Sequence, residues 1–155
     1  MEKRFIIKAI QLAFDNVKGN TGGPFGAIIV KNGEIVGTGQ NHVTRLNDPT
    51  AHAEIQAIRE ACQKLNTFQL DDCVLYTSCE PCPMCLGAIY WARPKAVYYA
   101  CTKEEAAAIG FDDQFIYEQL NVPHEKRDIP MLKTSLTEAK EPFKAWETSM
   151  KKITY

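Results

Sequence analysis

Near the start of the chain, apolar residues recur at helical spacing: Phe5, Ile6, Ala9, Ile10, Ala13, Phe14 and Val17. This pattern predicts an amphipathic helix over Glu2 to Val17. The glycine-rich stretch from Lys18 to Pro24 ends it. Phe25 to Val30 is a short apolar run, followed by Asn32-Gly33, a type I′ hairpin signal, and a second run over Glu34 to Gly39. A polar loop is expected from Asn41 to Pro49. Thr50 to Leu65 then has helical periodicity, with Ile55, Ile58, Ala61, Cys62 and Leu65 on the inner face. Cys73 to Thr77 predicts a third strand, Cys82 to Arg93 a helix ended by Pro94, and Ala96 to Ala100 a fourth strand. A short helix over Lys103 to Ile109 follows. The rest, 110–155, is less regular, is interrupted by Pro123, Pro130 and Pro142, and has its clearest helix near Phe143 to Met150. A hairpin followed by alternating strands and helices predicts an α/β protein: a mixed sheet in a three-layer α/β/α sandwich.

Composition adds little to this picture but removes several function classes. The 155 residues fit one domain, and a chain of that size buries roughly 68–70% of its unfolded surface without help from metal or disulfides. Hydrophobic residues make up 45% and charged residues 24%, as in an ordinary globular protein. No apolar run is long enough to span a bilayer, and the first residues lack the pattern of a secretory signal. A cytoplasmic protein with no membrane partner is therefore expected. Lys and Arg total 18 against 19 Asp and Glu, a net charge of −1. Nothing in that balance calls for a phosphate backbone, so no nucleic-acid partner is expected and a small, nearly neutral substrate is favoured.

Three of the six cysteines, Cys79, Cys82 and Cys85, fall within seven residues. In a chain without secretory character such crowding points to metal binding or catalysis. Cys82 and Cys85 at a helix start share a face and can chelate one ion, and the helix dipole there favours thiolate. His52 and Glu54, two apart, converge only on something beyond a helix N-terminus, and Thr50 to Glu54 lies at such a start. Two sulfurs and one imidazole suit Zn²⁺, and a fourth position open to water marks a catalytic site. Other readings are a redox Cys-x-x-Cys pair, an iron–sulfur run that would need a cysteine where Ile89 stands, and Cys79 as a substitute ligand.

His52-Ala53-Glu54 with Pro81-Cys82-Pro83-Met84-Cys85 matches the pattern H-x-E…P-C-x-x-C of zinc deaminases acting on nucleobases. The chain resembles the cytidine deaminase superfamily from Pro24-Phe25-Gly26-Ala27 through Asp48 to Glu54 and on to Ala92-Arg93. Within it, the chain is similar to the bacterial guanine deaminases. The residues behind that likeness are Gly22 to Ala27, Leu86 to Pro94, Gly110 to Tyr117, and the ending Lys151-Lys152-Ile153-Thr154-Tyr155. The resemblance implies a roughly five-stranded sheet, one zinc per subunit on His52, Cys82 and Cys85, and Glu54 as the proton-moving residue rather than a ligand. It also implies hydrolysis of guanine to xanthine and ammonia, in purine catabolism or salvage.

The same resemblance puts Asn41 against the polar edge of the base and makes Asp113 a contact to substrate or ammonia. Phe25 and Trp91 are candidates to stack on or border the base. Related enzymes form homodimers whose C-terminal segments cross over. By that likeness 110–155 is a candidate for exchange between subunits, with Tyr155 closing the partner's pocket. Rival readings are guanosine deaminase, tRNA adenosine deaminase and cytosine deaminase. Outside enzymes, a zinc-stabilised binding module remains, although such a module has no need of Glu54. Cys62, Cys73 and Cys101 are expected to be buried packing thiols.

Overall fold

The computed structural model describes residues 2–155, which divide into two compact units. The first ends at Asp113. It contains helix α1 (Lys3–Lys18), strands β1 (Gly26–Lys31) and β2 (Glu34–Gln40), the short helix α2 (Val43–Leu46) and helix α3 (Ala53–Leu65). Strand β3 (Cys73–Cys79), helix α4 (Pro83–Ala92), strand β4 (Ala96–Cys101) and helix α5 (Lys103–Ala107) complete it. The sheet order is β2-β1-β3-β4. β1 runs antiparallel to both β2 and β3, and β3 runs parallel to β4, so the sheet is mixed as expected.

Alternation along β1 distributes the core to two faces. Ala27 and Ile29 pack with Ala53, Ala57 and Ala61 of α3 and with Ile89 and Ala92 of α4. Ile28 and Val30 pack with Phe5 and Ala9 of α1 and with Tyr76. Helices thus cover both faces, giving the α/β/α sandwich. Asn32 and Gly33 take φ of 50° and 81°, the two positive values that the I′ turn requires. α3 lies almost directly on β2. A Cβ at Gly39 would stand 1.9 Å from the carbonyl oxygen of Ala53, so only glycine lets the start of α3 approach the sheet so closely.

Several sequence expectations change in detail. The described residues form four strands where the resemblance implied roughly five, because 127–136, with Pro130, runs without ladder pairing. The loop expected over 41–49 contains α2. The helix expected from Thr50 begins at Ala53, after a turn in which Asp48 Oδ1 accepts from Thr50 N (2.8 Å) and Thr50 Oγ1 (2.7 Å). The inner stripe of α1 is Phe5, Ala9, Ala13 and Asn16, whereas Ile10, Phe14 and Val17 are exposed. Of the cysteines expected to pack inside, Cys73 is buried but Cys101 is exposed.

The second unit is Gln114–Tyr155. It contains α6 (Gln114–Leu120), which the irregular composition hid, 3₁₀ turns at His124–Lys126 and Thr137–Lys140, and α7 (Glu141–Thr148) near the expected position. Arg127 ties its first part together, donating to the carbonyls of Val122 (3.1 Å) and Leu120 (3.5 Å). Among the described residues, no helix is long and apolar enough to cross a membrane.

Candidate metal centre

Two helix N-termini build the site. His52 is the residue immediately before α3 and holds extended backbone angles (φ −71°, ψ 157°). Its side chain makes no capping bond to its own helix, which leaves the imidazole for the centre. Cys82 stands in the same position before α4, with Pro83 opening that helix, a place where proline's fixed φ and missing N–H cost nothing. Its sulfur accepts from the backbone N–H of Cys85 at 3.5 Å. Both positions follow a proline, Pro49 three residues before His52 and Pro81 immediately before Cys82. The centre lies just past the end of β3, where open α/β sheets present their ligand sites.

The sulfurs of Cys82 and Cys85 each lie 3.5 Å from Nδ1 of His52. All three donor atoms fall within 4.8 Å of one another. A tetrahedral zinc with ordinary bond lengths sets sulfur and nitrogen ligands roughly 3.6 Å apart, so the group fits that ion. Cys79, the substitute ligand left open by spacing, is directed elsewhere. Its sulfur lies 3.5 Å from the carbonyl oxygen of Thr102, and burial pushes its thiol up to about 11.

Charge within the group suits a dication. The Cys82 thiol is pulled down to about 4, first by its hydrogen bond with Cys85 and then by that with His52, against the cost of burial. Cys85 is pushed up by the adjacent Cys82 sulfur, by burial and by the Glu54 charge. His52 is raised by its bond to Cys82. One thiolate is therefore preformed, and the protons on its neighbours are those that a metal displaces.

Glu54, in the first turn of α3, is buried (6% exposed). Thr77 Oγ1 donates to its Oε1 at 3.2 Å, and its Oε2 lies 3.5 Å from the Cys85 sulfur. Burial pushes its carboxyl above the usual carboxylate range, as a group that must take up and release a proton requires.

Around this cluster, Asn41 is buried at 8% exposure and its backbone N–H donates to the carbonyl of Phe25 (3.1 Å). Phe25 is half-buried against the core and meets Phe111 edge-on, with ring centres 4.9 Å apart. The charge of Asp113 raises His52, while burial and the Cys82 charge raise Asp113 itself. Five predicted residues of the first unit, His52, Glu54, Cys82, Cys85 and Asp113, therefore act on one another electrostatically. Trp91 is different. It sits in the last turn of α4 at 62% exposure, roughly 9 Å along the axis from Cys85 at the ordinary helical rise. Tyr155 ends the second unit. Sequence reasoning did not single out Thr77, Phe111 or Asn16. Thr77 was legible as a hydroxyl inside an apolar strand, and Asn16 as a carboxamide continuing the buried stripe of α1.

The profile of the cytidine and deoxycytidylate deaminase zinc-binding region matches residues 1–101. The chain belongs to the cytidine and deoxycytidylate deaminase family. Within this deaminase family it is 58% identical to the guanine deaminase of Bacillus subtilis, over 97% of each chain. It superposes on a crystal structure of a Bacillus subtilis guanine deaminase with a TM-score of 0.97, at 57% identity, covering 100% of this chain and 99% of that one. A tRNA-specific adenosine deaminase from Aquifex aeolicus is 48% identical, but over only 56% of this chain and 58% of its own. A guanine deaminase structure from Nitrosomonas europaea gives a TM-score of 0.67 at 34% identity, covering 70% of this chain and 63% of that one. The His/Cys/Cys group is thus a zinc site of the kind this deaminase family carries.

Proposed function

We propose that this chain is a zinc-dependent guanine deaminase, converting guanine and water to xanthine and ammonia. The observation that carries the proposal is the His52, Cys82, Cys85 group, with its donor atoms within 4.8 Å of one another, beside the buried carboxyl of Glu54. The near full-length likeness to the Bacillus subtilis guanine deaminase supports guanine over the rival bases.

In this reading His52, Cys82 and Cys85 hold the zinc. Bound there, zinc supplies Lewis-acid activation of the attacking water at neutral pH. Glu54 is not a ligand. Its carboxylate accepts a proton from that water and delivers it to N3 of guanine, the ring nitrogen without hydrogen, which leaves C2 open to attack. Glu54 then takes the remaining proton from the hydroxyl on C2 and delivers it to the amine, so that C2=O forms as the C–N bond breaks and one residue serves twice as base and acid. The Thr77 hydroxyl bond occupies Oε1, which supports Oε2 as the oxygen that moves the proton.

Asn41 faces the polar edge of the base with both a donor and an acceptor. Asp113 accepts from N1–H and the exocyclic amine, and its raised carboxyl beside Cys82 supports a position within reach of both. Phe25, backed by Phe111, borders the ring. Trp91, exposed in the last turn of α4, is the more distant candidate for bordering the base.

The functional unit in this reading is a homodimer, acting in the cytoplasm in purine catabolism. Residues 110–155 cross to the other subunit, and Tyr155 closes the partner's pocket against water. Ile129, Leu132, Phe143 and Met150 are at least 73% exposed in the single chain, which supports a second copy covering them. Comparing ammonia release from guanine, guanosine, adenosine and cytosine by the zinc-loaded protein tests the proposal. Guanine is expected to be turned over far faster than the others, and faster release from adenosine or cytosine would replace guanine as the substrate.

A further inference from the structure

α1 carries one polar residue in its buried stripe. Asn16 is completely buried, and its carboxamide is fully used. Nδ2 donates to the carbonyl of Gly23 (2.8 Å) and to the carbonyl of Asn41 (2.8 Å). Oδ1 accepts from Thr21 Oγ1 (2.6 Å). A buried amide costs free energy unless every group is paired, and an apolar residue would serve better if packing were its only role. These bonds instead join the end of α1 and the loop over 21–24 that follows it to Asn41, which stands 25 residues away at the end of β2.

The fit at that junction is close. A Cβ at Gly22 would stand 1.8 Å from the Asn41 carbonyl oxygen and 2.9 Å from Asn16 Nδ2. The bare loop backbone is therefore pressed on Asn41, and no side chain is admitted. A Cβ at Gly23 would meet Phe111 Cζ at 3.4 Å and Asn41 Cγ at 3.5 Å. Phe111 in turn rests edge-on against Phe25. The Asn41 side chain, the glycine loop and the two phenyl rings form one wall, and the Asn16 side chain is bonded to both its loop and its Asn41 backbone.

We infer that Asn16 is a positioning residue for base recognition: it fixes the backbone from which Asn41 reaches the base, and aligns it with the Gly22-Gly23 loop. The inference rests on the reading of Asn41 as a base contact. Asn16 touches neither metal ligands nor Glu54, so its loss alters how the base is held and leaves the proton-moving machinery in place.

The test is a kinetic cycle of Asn16→Ala and Asn41→Ala, singly and together, with zinc content measured on each protein. Asn16→Ala is expected to raise KM for guanine about tenfold, with kcat within about threefold and zinc content unchanged. Added to Asn41→Ala, it is expected to raise KM less than twofold further, because the two act on the same contact. Binding of 8-azaguanine should weaken in parallel with KM. Thr21→Val, which removes only the hydroxyl bond to Asn16, is the milder variant should Asn16→Ala not fold, and its KM should rise two- to threefold. An unchanged KM in the folded Asn16 variant, or in Thr21→Val if Asn16→Ala does not fold, would overturn the inference. So would an equal rise with and without Asn41. If Asn41→Ala alone leaves KM unchanged, the reading of Asn41 fails first and the inference falls with it.

Discussion

Residues 2–113 and residues 114–155 use their apolar side chains in opposite ways. The first unit buries Ile28, Ile29, Leu70 and Leu75 completely and ties two helix N-termini to the end of one strand. In the second unit no residue is buried, although it carries Phe143, Trp146 and Met150. Ordering such a segment costs conformational entropy that its own contacts do not offset. The relatives divide only partly along this line, since the Nitrosomonas europaea guanine deaminase structure also covers just 70% of the chain. The family profile ends at residue 101, and the adenosine deaminase likeness covers little more than half the chain, whereas the Bacillus subtilis guanine deaminase matches nearly all of it. The first region carries chemistry shared across the family. The account places what distinguishes guanine near its boundary and beyond, in Asp113 and the terminal segment.

The sharpest way to break this division is to remove the metal from the first region. Cys85→Ser is expected to lower zinc affinity by more than the roughly 10–100-fold typical of a change outside the ligand set, and activity on every substrate should fall with it. Metal analysis alongside turnover checks this, and full activity with normal zinc would remove Cys85 from the centre. The second region should behave differently. Ending the chain at Met150 is expected to lower kcat/KM for guanine on the order of a hundredfold, the scale of a misplaced bound substrate, with zinc content unchanged. Sedimentation of the same protein shows whether the second copy stays attached. Unaltered guanine turnover would detach Tyr155 from the site. A smaller effect is expected at the boundary itself. Asp113→Asn should cost roughly 10–100-fold in kcat/KM, as for a lost charged hydrogen bond, again without metal loss.

The two regions also differ in how far they were legible. Strand alternation, the Asn32-Gly33 turn and the two proline-preceded helix starts are local signals, and they located the sheet and all three candidate zinc ligands. The helix α1 was legible but its buried edge was not, because Ile10, Phe14 and Val17 follow the helical period as well as Phe5, Ala9 and Ala13 do. Periodicity gives an apolar stripe but does not say which side of it meets the sheet. Asn16 escaped notice for a related reason, since its bond to the Asn41 carbonyl joins residues that only the fold brings near. α6 and the missing fifth strand lie where prolines and charges blur any period. Trp91 stands in the last turn of α4, away from the helix start that carries Cys82 and Cys85.

Glu54 decides the central claim, that the centre holds its metal with three residues and moves its protons with a fourth. The direct measurement is guanine turnover together with bound zinc in Glu54→Gln, which keeps the shape and removes the titrating group. A fall in kcat of roughly 10²–10⁴ with one zinc retained per chain is the predicted result. Near-normal turnover in that variant, or loss of zinc along with activity, would contradict the account.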